Sequence, residues 1–362
     1  LGDSHRPAND LTAAEQTSLA AALDAIREDH AAGGTPTAAH APDGRPVEFS
    51  FTALTQYGSG ALKTYPSFSA LLEDYYAVKD RAERLRQKSR DLLKTVRNLH
   101  ERAVRKQTAR TEELAQSEAS DELRVRGELV QANLWRIERG MASVTVDNYY
   151  TGKPETIPLD VRLSPSGNAQ KYFKEYKKKQ TAARMLARLL EEGKREIEYL
   201  ETVVYEVETA TGEQALGEIR AELKSQGYLK YYKVRDKKQK PADFYRYRST
   251  DGLLILVGRN NAQNDKLTLH TARGRDLWFH VKNAPGSHTV VISEGQPIPD
   301  ATREQAAQLA VLHSSQAGGA KVPVDYTFVR NIRKTGDLKP GMVLYDTYET
   351  AYITPDPALR EK

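Results

Sequence analysis

The 362-residue sequence contains no cysteine, which excludes disulfides, thiol nucleophiles and cysteine zinc sites. No apolar run approaches the roughly 18 residues of a membrane-spanning helix, and no hydrophobic signal region is recognisable. The compartment expected is therefore the cytosol, with no membrane partner. Walker loop, dinucleotide fingerprint, His-Glu-x-x-His helix and Gly-x-Ser-x-Gly elbow are all missing, so no cofactor, no metal and no catalytic residue are expected. The chain starts at Leu1 rather than Met, and it is expected to be a fragment of something longer.

What is present is lean and charged. Hydrophobic residues make up 39%, charged residues 28%, and mean hydropathy is −0.65; that balance suits long solvated helices beside small cores. The length exceeds what one core usually supports, so two or three domains are expected. Net charge is +5, and its distribution matters more than its size. Between Glu222 and Arg248, nine Lys and Arg residues stand against three acidic ones, with Tyr228, Tyr231, Tyr232, Phe244, Tyr245 and Tyr247 interleaved. Cations with interspersed aromatics suit phosphates and bases; a solvated basic linker has the same composition.

The first forty residues are Ala-rich and helical, with Thr12 as a candidate N-cap and Gln16 one place too late for a capping box. Residues 33–46 form a Gly/Pro loop, and Val47 to Leu54 alternate like a half-buried strand. From Phe68 to Ala119 there is no Gly or Pro; apolar residues recur sparsely at Leu85, Leu92, Val96, Leu99 and Val104. Such a helix needs one narrow partner seam, as in a coiled coil. A second begins near Asn168, with Ile197, Leu200, Val203, Val204 and Val207 as its stripe. The two are expected to pair antiparallel. Between them, a short helix and strands at Ala142 to Tyr149 and Glu155 to Leu159 make a small module at the hairpin's tip. Strand patterns then recur from Tyr228 onward, including "KLTLHTA" (Lys266 to Ala272), around a helix over Thr302 to Gln316 with Thr302 and Gln305 as its capping box.

The stretch "RDLWFHVKNAPGSHTVV" (Arg275 to Val291) places His280 and His288 on either side of a Pro-Gly turn. A hairpin bringing them together gives half a zinc site, which Asp276 or Asp325 could complete. Ser287 beside His288 admits a nucleophile reading, and Trp278 is core or stacking platform. The plainer alternative is two buried strands. The run "GRNNAQND" (Gly258 to Asp265) reads as a polar loop after an apolar strand, its amides suited to base edges or to turn geometry.

"ILVGRNNAQNDKLTLHTARGRDLWFHVKNAPGSHTVV" with "KVPVDYTFVRNIRKTGDLKPGMVLYDTYETAYITP" resembles the C-terminal NFACT-R domain of the NFACT family. "LLEDYYAVKDRAERLRQKSRDL", "GELVQANLWRIERG", "IPLD" and "SPSGNAQKYFKEYKK" are similar to that family's coiled-coil and middle region. The fold class implied is α+β: a long antiparallel coiled-coil hairpin with a small α/β tip module, followed by a C-terminal α+β NFACT-R domain. Residues 1–67 are assigned to a remnant of the N-terminal and helix-hairpin-helix region, 68–119 to the first arm and 120–167 to the tip. The second arm and linker take 168–227, and NFACT-R takes 228–362. The family's NFACT-N lobe, with the Asp-Arg motif that engages tRNA, is expected to be missing from this chain; the Asp80-Arg81 pair at the start of the first arm is not that motif.

The resemblance implies ribosome-associated quality control. Such proteins bind a large ribosomal subunit, through its rRNA and stalk base, while peptidyl-tRNA still blocks it. They recruit tRNA, tRNA-Ala in bacteria, and the stalled chain gains an alanine tail without mRNA. Peptidyl transfer belongs to the ribosome, so the chain is not expected to be an enzyme. Other readings are a fibronectin-binding surface adhesin, after an older family name, and a DNA- or RNA-binding protein with a nuclease or repair role. Within NFACT-R the RNA contacts expected are Arg259, Asn260, Asn261, Asn264, Arg273, Lys282, Lys321, Arg330, Arg333 and Lys334. Asp276, Trp278, His280, Ser287, His288 and Asp325 are motif positions that could pack or contact.

Overall fold

In a computed structural model the protein is described over residues 8–42, 44–52, 54, 56–118, 120–230 and 242–361. Most of the basic, tyrosine-rich run after Lys230 lies outside the described residues. The chain divides into two compact units, Leu1–Arg90 and Asp91–Lys362.

In the first unit, helix α1 (Ala13–Ala31) is opened by a capping box, but Glu15 closes it rather than Gln16: Thr12 accepts from the Glu15 N–H and Glu15 accepts from the Thr12 N–H. Strand β1 (Thr37–His40) lies between β2 (Pro46–Ser50) and β3 (Leu62–Thr64), antiparallel to both. This corrects the loop expected over 33–46. Ala38 and Ala39 are fully buried, and residues this small are enough where strands cover both edges, although their hydropathy signals little. Helix α2 (Phe68–Glu118) starts here, seating Leu71 against Ala38 and Tyr65.

The second unit pairs the rest of α2 with α4 (Pro165–Thr209). Arg97 meets Glu208 at 2.7 Å, Gln107 donates to the Leu190 carbonyl at 2.8 Å and Arg110 to that of Leu189 at 2.9 Å. Numbers rising on one helix and falling on the other establish an antiparallel pair. Leu92 and Val96 from one helix and Leu200, Val203 and Val207 from the other are buried, as a narrow seam requires. Helix α3 (Asp121–Ala132) packs on the same partner, where Gly127 gives room to Phe173. Strands β4 (Ser143–Asn148) and β5 (Lys153–Pro158) form a hairpin whose alternate residues Val144, Val146 and Ile157 join Leu129, Val130 and Ala169 in a small core. At this tip Trp135 is 82% exposed. After α4, helix α5 (Glu213–Ser225) buries Leu216, Ile219 and Leu223.

The C-terminal domain is a six-stranded sheet with the order β13-β10-β8-β9-β7-β6, every neighbouring pair antiparallel. The strands are β6 (Tyr245–Arg248), β7 (Leu254–Val257), β8 (Leu277–Val281), β9 (Thr289–Ile292), β10 (Val322–Phe328) and β13 (Glu349–Ile353). Helix α7 (Asp300–Leu312) covers one face, packing Ala306, Leu309 and Ala310 on Ile255, Phe279, Val291 and Val324. Helix α6 (Asn261–Lys266), a π turn over Leu267–Thr271, and the ribbon β11 (Ile332–Arg333) and β12 (Leu344–Tyr345) cover the other, around Trp278, Leu256 and Val290. Side chains of β8 alternate between these layers, as the pleat demands. The architecture is α+β, with a long antiparallel helical pair, a small tip and a sheet domain.

Three expectations are corrected in this domain. "KLTLHTA" is helical, and "GRNNAQND" is the start of that helix rather than a loop. Asn260, Gln263, Asn264, Leu267 and Thr268 are buried, which is the i, i+3, i+4, i+7, i+8 spacing of one helix face. Because three of the five are amides, the face is invisible to a hydropathy pattern. Thr302 and Gln305 do not form a capping box either: the helix starts at Asp300, Thr302 donates to Ser249 and Asp251, and Gln305 accepts from the Thr250 N–H.

Candidate RNA-binding surface

The amides after β7 build a joint. Asn260 caps α6, accepting from the Gln263 N–H at 2.9 Å, while its Nδ2 donates to Glu218 of α5 at 2.8 Å. Asn261, 1% exposed, donates to Glu222 at 3.4 Å. Asn264, 2% exposed, accepts from the His288 N–H at 3.0 Å. Gly258 is required beside it, because a Cβ there would meet Asn264 Oδ1 at 2.1 Å. Asn260, Asn261 and Asn264, expected as RNA contacts, are therefore buried and committed within the protein; the first two hold the sheet domain to α5, and Asn264 holds α6 to the backbone before β9. Sequence reasoning missed the acidic half of this joint. Its signal was the spacing of Glu218 and Glu222, four residues apart on one face of α5.

The joint has a charged interior. Glu222 accepts from Tyr199 at 2.8 Å, and burial pushes its carboxyl pKa up. Glu206 of α4 is 5% exposed, with neither oxygen in good hydrogen-bonding geometry to a donor. Burial first, then the Glu222 charge, hold its pKa well above the ordinary carboxyl value. Lys339 lies 5.0 Å from the Tyr228 ring and donates to Gln226, and Arg195 pairs with Asp337.

The hairpin expected over Arg275 to Val291 forms, and it brings the histidine rings to 5.5 Å. Their surroundings are those of a core. His280 stacks parallel to Trp278 at 5.8 Å, and His288 meets the same ring edge-on at 5.1 Å. His288 Nδ1 pairs with the Thr268 hydroxyl at 2.7 Å. Burial lowers both imidazole pKa values, keeping the rings neutral at physiological pH. The carboxylates considered as companions are engaged elsewhere. Asp276 accepts from the Arg273 N–H and from Ser293; Asp325 accepts from Lys282, Tyr345 and Thr350. Among the described residues no three His, Asp or Glu side chains are grouped to hold a metal. Ser287 is fixed by its N–H on the His313 carbonyl, and its neighbour's imidazole is taken by Thr268.

Strand directions sort the expected cations. Arg259 follows β7, Lys282 follows β8 and Lys321 precedes β10, which places them at one end of the sheet. Arg273 precedes β8 and Arg330 follows β10, at the opposite end. Arg259 lies 3.9 Å over the Tyr245 ring and donates to the Asp243 carbonyl. Lys334 is mostly buried in a bidentate pair with Asp265 at 2.6 and 2.7 Å, so its charge is spent inside the protein. Arg333 pairs with Asp346 at 2.7 Å on the surface.

A helical stalk bearing a tip module, joined by buried amide–carboxylate bonds to a sheet domain with arginines and lysines at both its ends, defines the class: an α+β protein of stalk, tip and sheet domain. Residues 1–242 match the NFACT N-terminal and middle domains and residues 243–347 match the NFACT protein RNA binding domain; the chain belongs to the NFACT family. Its relatives include the Rqc2 homolog RqcH of Streptococcus suis (strain 05ZYH33), 40% identical over 297 residues, covering 80% of this chain and 52% of the relative. That of Bacillus subtilis (strain 168) is 36% identical over 314 residues, covering 85% and 55%. The solved structure of the C-terminal part of the fibronectin/fibrinogen-binding protein from Streptococcus suis superposes with a TM-score of 0.62 at 34% identity, covering 77% of this chain and 98% of that one. The chain spans about half the length of the curated relatives it matches. Among the described residues no helix is long and apolar enough to cross a membrane.

Proposed function

We propose that this chain is the stalk and RNA-binding portion of a cytoplasmic ribosome-associated quality-control factor. In this reading the sheet domain grips RNA, tRNA above all, and the tip touches a distant point on the large subunit near its stalk base. The observation that carries it is the union of a family-matched RNA-binding domain with an antiparallel stalk through a buried joint. A rigid joint converts reach into positioning. Positioning is what an mRNA-independent elongation step needs from a protein when the ribosome holds the peptidyl-transfer chemistry. The reading makes the chain a non-enzymatic partner of the obstructed large subunit, its peptidyl-tRNA and tRNA-Ala, with alanine tailing of the stalled nascent chain as the outcome.

The test is co-sedimentation of the chain with large subunits carrying peptidyl-tRNA across a salt series. Affinity is expected to fall linearly on logarithmic axes, since phosphate contacts release counterions. Absence of co-sedimentation at low salt would overturn the reading. The similar Streptococcus suis structure is that of a fibronectin/fibrinogen-binding protein, which raises fibronectin binding as a second reading; saturable binding of immobilised fibronectin without any subunit binding would favour it.

A further inference from the structure

Five cations of the sheet domain have carboxylate partners: Lys334 has Asp265, Arg333 has Asp346, Lys282 has Asp325, Arg246 has Asp243 and Arg303 has Asp300. Arg273, Arg275 and Arg330 have none among the described residues. The loops that carry these three exposed side chains adjoin, because β8 and β10 are antiparallel with Leu277 opposite Phe328.

The two loops are clasped by their backbones. Val329 N–H donates to the Asp276 carbonyl at 3.0 Å and Arg330 N–H to that of Gly274 at 3.3 Å. A Cβ on Gly274 would stand 3.3 Å from Arg330 Cβ, so the loops touch. The one carboxylate of the segment, Asp276, is turned inward to the Arg273 N–H and to Ser293. Phe328 is 37% exposed, and the Arg330 guanidinium lies 4.8 Å over its ring. Like charges on adjoining loops without a counter-charge favour an incoming anion, and guanidinium forks match phosphate oxygens. The partly exposed Phe328 ring beside them adds aromatic surface for a base.

We propose that Arg273, Arg275, Arg330 and Phe328 form a seat for single-stranded RNA, with phosphodiester oxygens on the guanidinium groups and one base on the Phe328–Arg330 stack. The seat rests on the RNA-binding reading of this domain and extends it. It lies at the opposite end of the sheet from Arg259 and Lys321, about 17 Å away along the five residues of β8. The domain thus engages RNA at two separate points.

The experiment measures binding of the full chain to a labelled, unstructured ten-nucleotide RNA and to an RNA hairpin stem, with inorganic phosphate as competitor. Arg273→Gln with Arg330→Gln is expected to weaken single-strand binding at least tenfold and to flatten the log–log salt slope by about 1.4, at roughly 0.7 per lost contact. Phe328→Ala is expected to lose about fivefold to a hundredfold, the range of one base stack, with the slope unchanged. If these variants bind as the native chain does while Arg259→Gln with Lys321→Gln weakens binding, the seat is overturned and the RNA-binding reading stands. If the native chain binds neither RNA at low salt, the RNA-binding reading itself fails. A silent Phe328→Ala, or equal use of the hairpin stem, reduces the site to backbone charge and overturns the base seat. A lowered unfolding midpoint in the arginine variants would assign them to the clasp and likewise overturn it.

Discussion

Replacing Asn264 by alanine separates holding the fold from holding RNA. Its Oδ1 is the acceptor for the His288 N–H at 3.0 Å, in a place 2% exposed to water. The substitution leaves that N–H buried and unpaired, a loss of about 1–3 kcal/mol. With a urea dependence of about 2 kcal/mol per molar, the unfolding midpoint should fall by about 0.5–1.5 M. The sequence supplies its own reporter: of its two tryptophans, Trp278 is buried within 5.1 Å of the His288 ring and Trp135 stands in solvent at the tip. In a Trp135→Phe background, Trp278 emission follows the unfolding of the sheet domain alone. Far below the transition, RNA affinity of the Asn264→Ala chain should match that of its parent within about twofold. A midpoint moved by less than about 0.2 M, together with lost RNA affinity, would refute the assignment and return Asn264 to the contact surface.

Two further perturbations address the joint. Glu206→Gln should stabilise the chain at pH 8 by at least about 1 kcal/mol, because a buried carboxylate with poor partners is replaced by a neutral group. The sign follows from the raised pKa: between the ordinary carboxyl value near about 4.3 and its folded value, the native state holds a proton that the unfolded chain has released. Native stability therefore falls as pH rises through that window and then levels off. The variant should lose the part of this slope that Glu206 contributes, leaving the shallower dependence of Glu222, and urea midpoints measured from pH 4 to 9 check it; parallel profiles for the two chains would count against the assignment. Gly341→Ala should lower the Trp278 midpoint by at least about 1–2 kcal/mol, because φ is +76° and a Cβ would meet Asn261 Oδ1 at 2.1 Å. An unchanged midpoint would mean that Asn261 is free to move.

Elements were most legible where burial and hydropathy coincide. The sparse stripes of α2 and α4 disclosed a narrow seam, since Lys, Arg and Glu crowd the positions between. Val144 and Val146 announced a half-buried strand, and Leu277 to Val281 a fully buried one. Legibility failed where polar or small residues do the packing. Helix α6 buries asparagine and glutamine, and β1 buries alanine, so neither carries a pattern that a hydropathy reading detects. The amides that looked suited to bases face Glu218, Glu222 and the His288 backbone instead.

By itself the sequence determined the family motifs, the paired helices, the tip and the strand-rich C-terminal domain, because periodicity and local propensity act over a few turns of chain. Tertiary structure alone decided what each polar group faces. Lys334 and Arg330 are four residues apart and equally basic in composition; Asp265, sixty-nine residues upstream of Lys334, neutralises it, while among the described residues no carboxylate neutralises Arg330. Charge in a sequence is a property of the residue. Charge available to RNA is what remains after the fold has brought distant partners together, and only three-dimensional proximity determines that remainder.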